Sequence, residues 1–190
     1  MAEREMFEQA VEDKRREIDR GMHALGERLG SGDDSELLLW VITGKLACVH
    51  RPLRHHPHYA GSRVPIPLAA KPLLLDWIDW LRLENIASVI SFMHEGDLGC
   101  YREIGFEGGT LLEQLERLGF QVCRLPWEDP AHSKTDSALK RTKLLEMRRK
   151  ALQAFDRLPK PVVLLCSAGR DRSAPAAAYI FERLRARGLI

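Results

Sequence analysis

One short segment constrains the fold of this chain more than any other. Residues 162–166 form a continuous run of Val, Leu and Cys, which is typical of a parallel β-strand covered on both faces. The chain becomes rich in alanine, a strong helix former, from Ser173 onward, and Pro175 is tolerated in a first helical turn. Gly169 lies between the two patterns and allows a tight turn. The order strand, tight loop and helix N-terminus predicts an α/β fold.

The other apolar runs alternate with helical patterns and support the same fold class. We predict strands at residues 37–43, 46–49, 86–92, 120–125 and 162–166. We predict helices at residues 3–29, 71–82, 110–118, 140–158 and 173–187. This alternation favours a single domain with a mostly parallel central sheet flanked by helices. At 190 residues, the chain is long enough for one well-buried domain and short for two.

The first helical pattern carries one apolar stripe, at steps of three, four and seven residues. Its members are Phe7, Val11, Ile18, Met22, Leu25 and Leu29. Such a stripe usually packs on the core of its own domain, and residues 30–34, rich in Gly and Asp, then end the helix. We therefore assign residues 1–35 to an N-terminal helical extension and residues 36–190 to the main domain.

Charge and cysteine content narrow the classes of partner. Residues 1–36 hold 6 basic and 11 acidic side chains, whereas the remainder holds 23 and 16, so the main body favours anionic partners. Four scattered cysteines without a CxxC pair argue against a zinc ribbon or a disulfide scaffold. The acidic start lacks an apolar signal core, and no run could span a bilayer. We expect a cytoplasmic protein without membrane insertion, metal or cofactor.

The segment from Cys166 to Ser173 combines an anion site with a nucleophile. Backbone N–H groups of a tight loop and the positive end of a helix dipole attract an anion. The same field, together with Arg170 and Arg172, favours the thiolate form of Cys166, which could then attack a bound phosphoryl group. The planar fork of Arg172 can hold two phosphoryl oxygens at once. Cys166 could instead be an unreactive cysteine of the core, which is what we expect for Cys48, Cys100 and Cys123.

These residues also carry a resemblance to a known family. Cys-Ser-Ala-Gly-Arg-Asp-Arg-Ser, residues 166–173, resembles the C-x5-R-S/T phosphate loop of cysteine-dependent protein-tyrosine phosphatases, dual-specificity branch. Residues 44–47, followed by Arg51-Pro52, resemble the opening hairpin of these domains, and residues 86–95 resemble their strand followed by acidic residues. The resemblance covers residues 36–190 and implies a dual-specificity phosphatase-like domain, with the phosphate loop between a buried strand and a helix N-terminus.

The resemblance implies a role for each residue of the segment. Cys166 would attack phosphorus to form a phosphocysteine intermediate, which water would hydrolyse. Arg172 would bind the transferring phosphoryl group, and Ser173 would donate a hydrogen bond to the leaving thiolate. The N–H groups that would cradle the phosphate belong to Ser167, Ala168, Gly169, Arg170, Asp171 and Arg172.

Members of this family also need a general acid, usually an Asp some thirty-odd residues before the cysteine. The acid protonates the leaving oxygen and then acts as a base toward water. Asp129 follows a predicted strand and lies 37 residues before Cys166, which makes it our candidate. Glu128 and Asp136 stay open as alternatives, and any of these carboxylates could instead serve a turn or a helix cap.

Three features bear on activity and substrate class. The family normally carries His before the cysteine, where this chain has Leu165, which leaves open a non-catalytic phosphate binder. Extra charge in the loop at Arg170 resembles phosphatases that act on phosphoinositides or inositol phosphates. A second basic cluster could face a polyanion, although a solvated loop is the simpler interpretation. Its members are Arg51, Arg54, His55, His56, His58 and Arg63.

From these observations we predict a phosphoric monoester hydrolase that removes phosphate from phosphotyrosine, and also from phosphoserine or phosphothreonine, in proteins. The first alternative is the same chemistry on a phosphoinositide, an inositol phosphate or another small phosphoester. The second is a non-catalytic phosphate-binding module. We expect no nucleic-acid partner, because no basic surface interleaved with aromatic residues is present in the sequence.

Overall fold

The computed structural model of the chain describes residues 2–130 and 133–190. Within them, strands and helices alternate along the chain as predicted. The strands are β1 (Leu38–Ile42), β2 (Leu46–His50), β3 (Ser88–Ser91), β4 (Gln121–Arg124) and β5 (Val162–Cys166). The α-helices are α1 (Ala2–Gly30), α2 (Lys71–Leu83), α3 (Glu95–Leu98), α4 (Leu111–Arg117), α5 (Ser137–Arg157) and α6 (Ser173–Ala186). Short 3-10 helices occupy Leu68–Ala70 and Gly99–Ile104.

The strands form one sheet in the order β1-β2-β5-β3-β4. β1 and β2 form an antiparallel hairpin, and every other neighbouring pair is parallel, which confirms the mostly parallel sheet of an α/β domain. β5 lies at the centre, with His50 of β2 opposite Cys166 and Ser91 of β3 opposite Leu165. Because β2, β3, β4 and β5 all point the same way, the loops after them meet at one edge of the sheet.

The sheet separates two apolar cores, so helices cover both of its faces. One core combines α1, α5 and α6 with residues such as Leu164 and Cys166 of β5. The other combines α2 and α4 with the alternate residues of the same strand, Val163 and Leu165. The side chains of a strand alternate between its faces, which explains how the five buried residues of β5 supply both cores.

Helix α1 is part of the first core. Four members of its predicted stripe are buried there, and Phe7 and Leu29 pack against them, which confirms that the stripe packs on the chain's own core. The four are Val11, Ile18, Met22 and Leu25. Helices α1 and α5 carry charged residues along their length, and in the described residues no helix has both the length and the apolarity to cross a membrane.

Candidate active site

The loop between β5 and α6 carries the candidate nucleophile. Cys166 is the last residue of β5, and only 1% of it is exposed. The chain then turns through residues 167–172, here named the β5–α6 loop, where Gly169 adopts a φ of +65° in the left-handed region. The N–H of Arg51 donates to the carbonyl oxygens of Cys166 (3.0 Å) and Ser167 (3.1 Å), so the chain after β2 anchors the start of the loop. The order strand, tight loop and helix predicted for this segment is therefore present.

Backbone N–H groups of the β5–α6 loop are available to a ligand. Among the described residues, none of residues 167–172 donates a backbone hydrogen bond. Helix α6 begins directly after them at Ser173 and runs for 14 residues, so its positive end lies beside the loop. Unpaired N–H groups around a helix N-terminus are the usual elements of an anion site.

The guanidinium of Arg172 is the buried centre of the site, at 1% exposure. Its Nη1 donates to the carbonyl oxygens of Phe92 and Trp127, both at 3.1 Å, and to Oδ2 of Asp97 at 2.5 Å. Its Nη2 donates to Oδ1 of Asp97 at 3.2 Å. Burial alone would lower the pKa of Arg172, but the Asp97 hydrogen bond and nearby negative charges raise it overall. Arg172 thus joins the segments that follow β3, β4 and β5.

One edge of the same guanidinium stays open. Asp97 binds the end that carries Nη1 and Nη2, whereas Nε and the second N–H of Nη2 make no hydrogen bond to any residue that the structure describes. These two N–H groups point in the same direction, along the side of the fork. A side edge of this kind can bind two oxygens of one phosphoryl group.

Asp97 is a site residue that the sequence analysis missed. It lies at the third position of α3, where Oδ2 accepts the N–H of His94 (3.0 Å) in a capping box. Burial has the largest single effect and would raise the pKa of the Asp97 carboxyl, but the hydrogen bond and charge of Arg172, with the His94 N–H and the charge of Arg51, together lower it. The predicted acidic segment ended at Glu95, two residues short. Its partner Arg172 lies 75 residues further along the chain, so no local sequence pattern identifies Asp97 as a site residue.

The three candidate acids occupy different places. Oδ2 of Asp129 lies 3.8 Å from Nη2 of Arg172, and its side chain is 19% exposed. Glu128 is exposed and forms no ion pair with Arg172 in the part of the chain that the structure describes. Asp136 caps α5 by accepting the N–H groups of Ala138 (2.8 Å) and Leu139 (2.9 Å). Of the three, the structure brings Asp129 to the candidate site.

The two charged residues inside the loop differ from Arg172. Nε and Nη2 of Arg170 donate to Oδ1 and Oδ2 of Asp19 in α1, at 2.7 and 3.1 Å. Its side edge is therefore occupied by a carboxylate of the same chain. The pKa of the Asp171 carboxyl is raised, because its surroundings restrict hydration and because Asp129 carries the same charge.

Ser173 begins α6 and is fully buried. Its hydroxyl makes no hydrogen bond to any described residue, so the hydrogen bond to the cysteine sulfur implied by the resemblance is not formed in this structure. The hydroxyl can still rotate, since it has no competing partner there. The role of Ser173 in the release of the thiolate stays a prediction.

A histidine reaches the loop from a neighbouring strand, although Leu165 replaces the one expected before Cys166. Leu165 is fully buried in the core beneath α2 and α4. His50, the last residue of β2, pairs with Cys166 and is 3% exposed. Burial lowers its pKa to about 3, and both ring nitrogens lack a hydrogen bond of ordinary geometry, although the backbone of Met22 and of Ala168 lies close. His50 is therefore neutral at physiological pH.

The second basic cluster does not form an open cationic surface. Arg51 is 1% exposed and donates to the hydroxyl of Tyr101 (3.1 Å) and the carbonyl of Gly61 (2.8 Å), so it is not a solvated surface residue. It lines a cavity of about 320 Å³ together with other members of the cluster and with leucine and tryptophan side chains. These members are Arg54, His55, His56 and His58. In the described residues, no three His, Cys, Asp or Glu side chains are arranged to hold a metal ion.

The arrangement brings a cysteine, a loop of unpaired N–H groups, an arginine with one open edge and a carboxylate to the same edge of the sheet. Together they can bind a tetrahedral oxyanion and direct a sulfur nucleophile and a proton carrier to it. No family model matches this chain, and no curated protein matches it significantly. A function for this chain must therefore be argued from the residues of the candidate site and their geometry.

Proposed function

We propose that this chain is a cysteine-dependent phosphomonoesterase that acts on phosphotyrosine, and also on phosphoserine or phosphothreonine, in proteins. The observation that carries the proposal is the convergence on Arg172. Its guanidinium is fixed by Asp97, has Nη2 3.8 Å from Oδ2 of Asp129 and keeps one edge open, and Arg172 immediately precedes the helix that follows the loop of Cys166. A buried arginine with a free edge would bind the phosphoryl group in one orientation.

The first step would transfer the phosphoryl group to the protein. Sγ of the Cys166 thiolate attacks phosphorus while the bond between phosphorus and the ester oxygen breaks. Asp129 gives its proton to the departing oxygen, which leaves as an alcohol or a phenol. The open edge of Arg172 and the loop N–H groups stabilise the charge on the non-bridging oxygens of the phosphoryl group as it is transferred. The product is a phosphocysteine and an ionised Asp129.

The second step would return the enzyme to its starting state. Asp129 takes a proton from a water molecule as that water attacks phosphorus. The bond between sulfur and phosphorus breaks, Cys166 leaves as a thiolate, and inorganic phosphate is released. The unpartnered hydroxyl of Ser173 can donate to the leaving sulfur, which lowers the barrier to this cleavage.

The test is hydrolysis of p-nitrophenyl phosphate between pH 5 and 8 by the full chain and by Cys166→Ser. We expect turnover by the wild type and only the uncatalysed rate with the variant, because a serine hydroxyl is a far weaker nucleophile than a thiolate. Turnover that survives in Cys166→Ser would overturn the proposal. An inactive wild type that still binds inorganic phosphate would instead identify a non-catalytic phosphate-binding module.

The same assay identifies the general acid when the leaving group is varied. Asp129→Asn should lower kcat by about 10²-fold or more on phosphotyrosine, and less on p-nitrophenyl phosphate, whose leaving group departs without a proton. Glu128→Gln and Asp136→Asn are the matched controls, and the second keeps the cap of α5 because Asn also accepts the N–H groups. A larger loss in either control than in Asp129→Asn would reassign the acid.

A further inference from the structure

Helix α1 contacts the β5–α6 loop directly. Asp19 of α1 binds Arg170 of the loop through two hydrogen bonds of 2.7 and 3.1 Å. One turn further, Met22 packs over Gly169, where an added Cβ would lie 2.2 Å from Cε of Met22. The helix assigned from the sequence to an N-terminal extension is therefore part of the wall of the candidate site.

The contact occupies the part of Arg170 that binds phosphate best. Asp19 accepts from Nε and Nη2, which form the side edge of the guanidinium. Arg172, two residues later in the same loop, keeps this edge open. A carboxylate and a phosphoryl group compete for the same pair of N–H donors, because each offers two oxygens to the fork. In this loop the side edge of Arg172 is therefore open, whereas that of Arg170 is occupied by Asp19.

The ion pair is also accessible to solvent and to ligands. The side chain of Arg170 is 40% exposed and that of Asp19 is 30% exposed, in contrast to the 1% of Arg172. Arg170 belongs to the same loop as the candidate phosphate site, so its exposed side chain is within the region where an additional phosphoryl group on the same ligand would bind. Asp19 faces that group with a like charge, so it opposes the ligand both by occupying Arg170 and by repulsion.

We propose that Asp19 determines substrate specificity, by closing the side edge of Arg170 and so restricting the loop to ligands that carry a single accessible phosphoryl group. The inference rests on the proposed function and refines its substrate class. It favours a phosphorylated side chain of a protein over an inositol polyphosphate. It also predicts that neutralising Asp19 opens a second phosphate subsite at Arg170.

The test measures the binding of two probes, inorganic phosphate and inositol hexakisphosphate, to the full chain carrying Cys166→Ser. Adding Asp19→Asn should tighten inositol hexakisphosphate about fivefold to tenfold, while phosphate affinity changes less than about twofold. The matched control is Glu17→Gln, which removes one negative charge from the same helix but from an exposed pair with Lys14. It should change the affinity for either probe by less than about twofold.

A further variant shows whether the gain passes through Arg170. Asp19→Asn combined with Arg170→Gln should bind inositol hexakisphosphate no more tightly than the parent. Equal gains in Asp19→Asn and Glu17→Gln, or a gain that persists without Arg170, would overturn the inference and leave the proposed function intact. Failure of the parent and of every variant to bind phosphate would overturn both.

Discussion

Two arginine-containing segments follow adjacent strands at the same edge of the sheet, yet their cations are used differently. In the β5–α6 loop, Arg172 is held by Asp97 and keeps one edge of its guanidinium open. In residues 50–58, here named the β2 segment, Arg51 donates to Tyr101 and Gly61 and is equally buried. One arginine is fixed beside a nucleophile with an open edge, whereas the other holds loops together and keeps its Nε buried without an acceptor among the described residues. The function of a buried arginine thus depends on where its unpaired N–H groups lie.

The β2 segment and the β5–α6 loop also differ in how much positive charge surrounds them, as the histidines of the β2 segment show. Burial lowers the pKa of His50 to about 3 and that of His55 to about 4, and the positive charges of Arg54 and Arg51 also lower the pKa of His55. His50 and His55 are therefore neutral near pH 7, so these two histidines add no positive charge to the β2 segment. In the β5–α6 loop, the positive end of α6 and the loop N–H groups add to the positive field instead.

The largest expected effect separates the two buried arginines by catalysis. Arg172→Lys should lower kcat/KM on a phosphotyrosine peptide by about 10³-fold, because a lysine offers no planar fork at the position where the phosphoryl charge develops. Arg51→Lys is the matched change in the β2 segment and should alter kcat/KM by less than about threefold. Comparable losses in the two variants would break the distinction drawn between the segments.

The second expected effect concerns the contribution of Arg51 to the free energy of unfolding. Arg51→Met should lower the free energy of unfolding by about 2–3 kcal/mol, because it removes a charged donor from the Gly61 carbonyl and from Tyr101. Urea denaturation monitored by fluorescence measures this loss, and the folded variant should retain its kcat. Arg54→Met is the control from the same segment, and it should cost less because the residue is only partly buried. A greater cost for Arg54→Met would show that the loops do not depend on Arg51.

Features that depend on local sequence patterns could be predicted, whereas contacts between residues far apart in the sequence could not. The fold class and the position of the β5–α6 loop depend on local patterns, such as the apolar run 162–166 and the alanine-rich helix after it. Asp97 and Asp19 could not be assigned in this way, because their partners are 75 and 151 residues away. Helix α5 begins at Ser137, three residues before its predicted start, because Asp136 caps it, which is one of the two interpretations that the sequence left open for that carboxylate.

The smallest expected effect sharpens the comparison through pH. The folded-state pKa of His50 is about 3, below its unfolded value of about 6.5. As the pH falls below 6.5, the unfolded chain therefore binds a proton that the folded chain does not. The stability that neutral His50 contributes to the folded state is fully present above pH 6.5, and it declines as the pH falls below that value. Between pH 7.5 and 5, His50 alone should reduce the free energy of unfolding by about 2 kcal/mol.

The variant that isolates this term is His50→Gln, which cannot titrate in that range. Urea denaturation at pH 7.5 and pH 5 should show a pH-dependent loss about 2 kcal/mol smaller in His50→Gln than in the wild type. Equal pH dependence in the two proteins would contradict a buried neutral His50. It would mean that the ring is hydrated beside Ala168, and that the β2 segment adds a titratable charge to the loop after all.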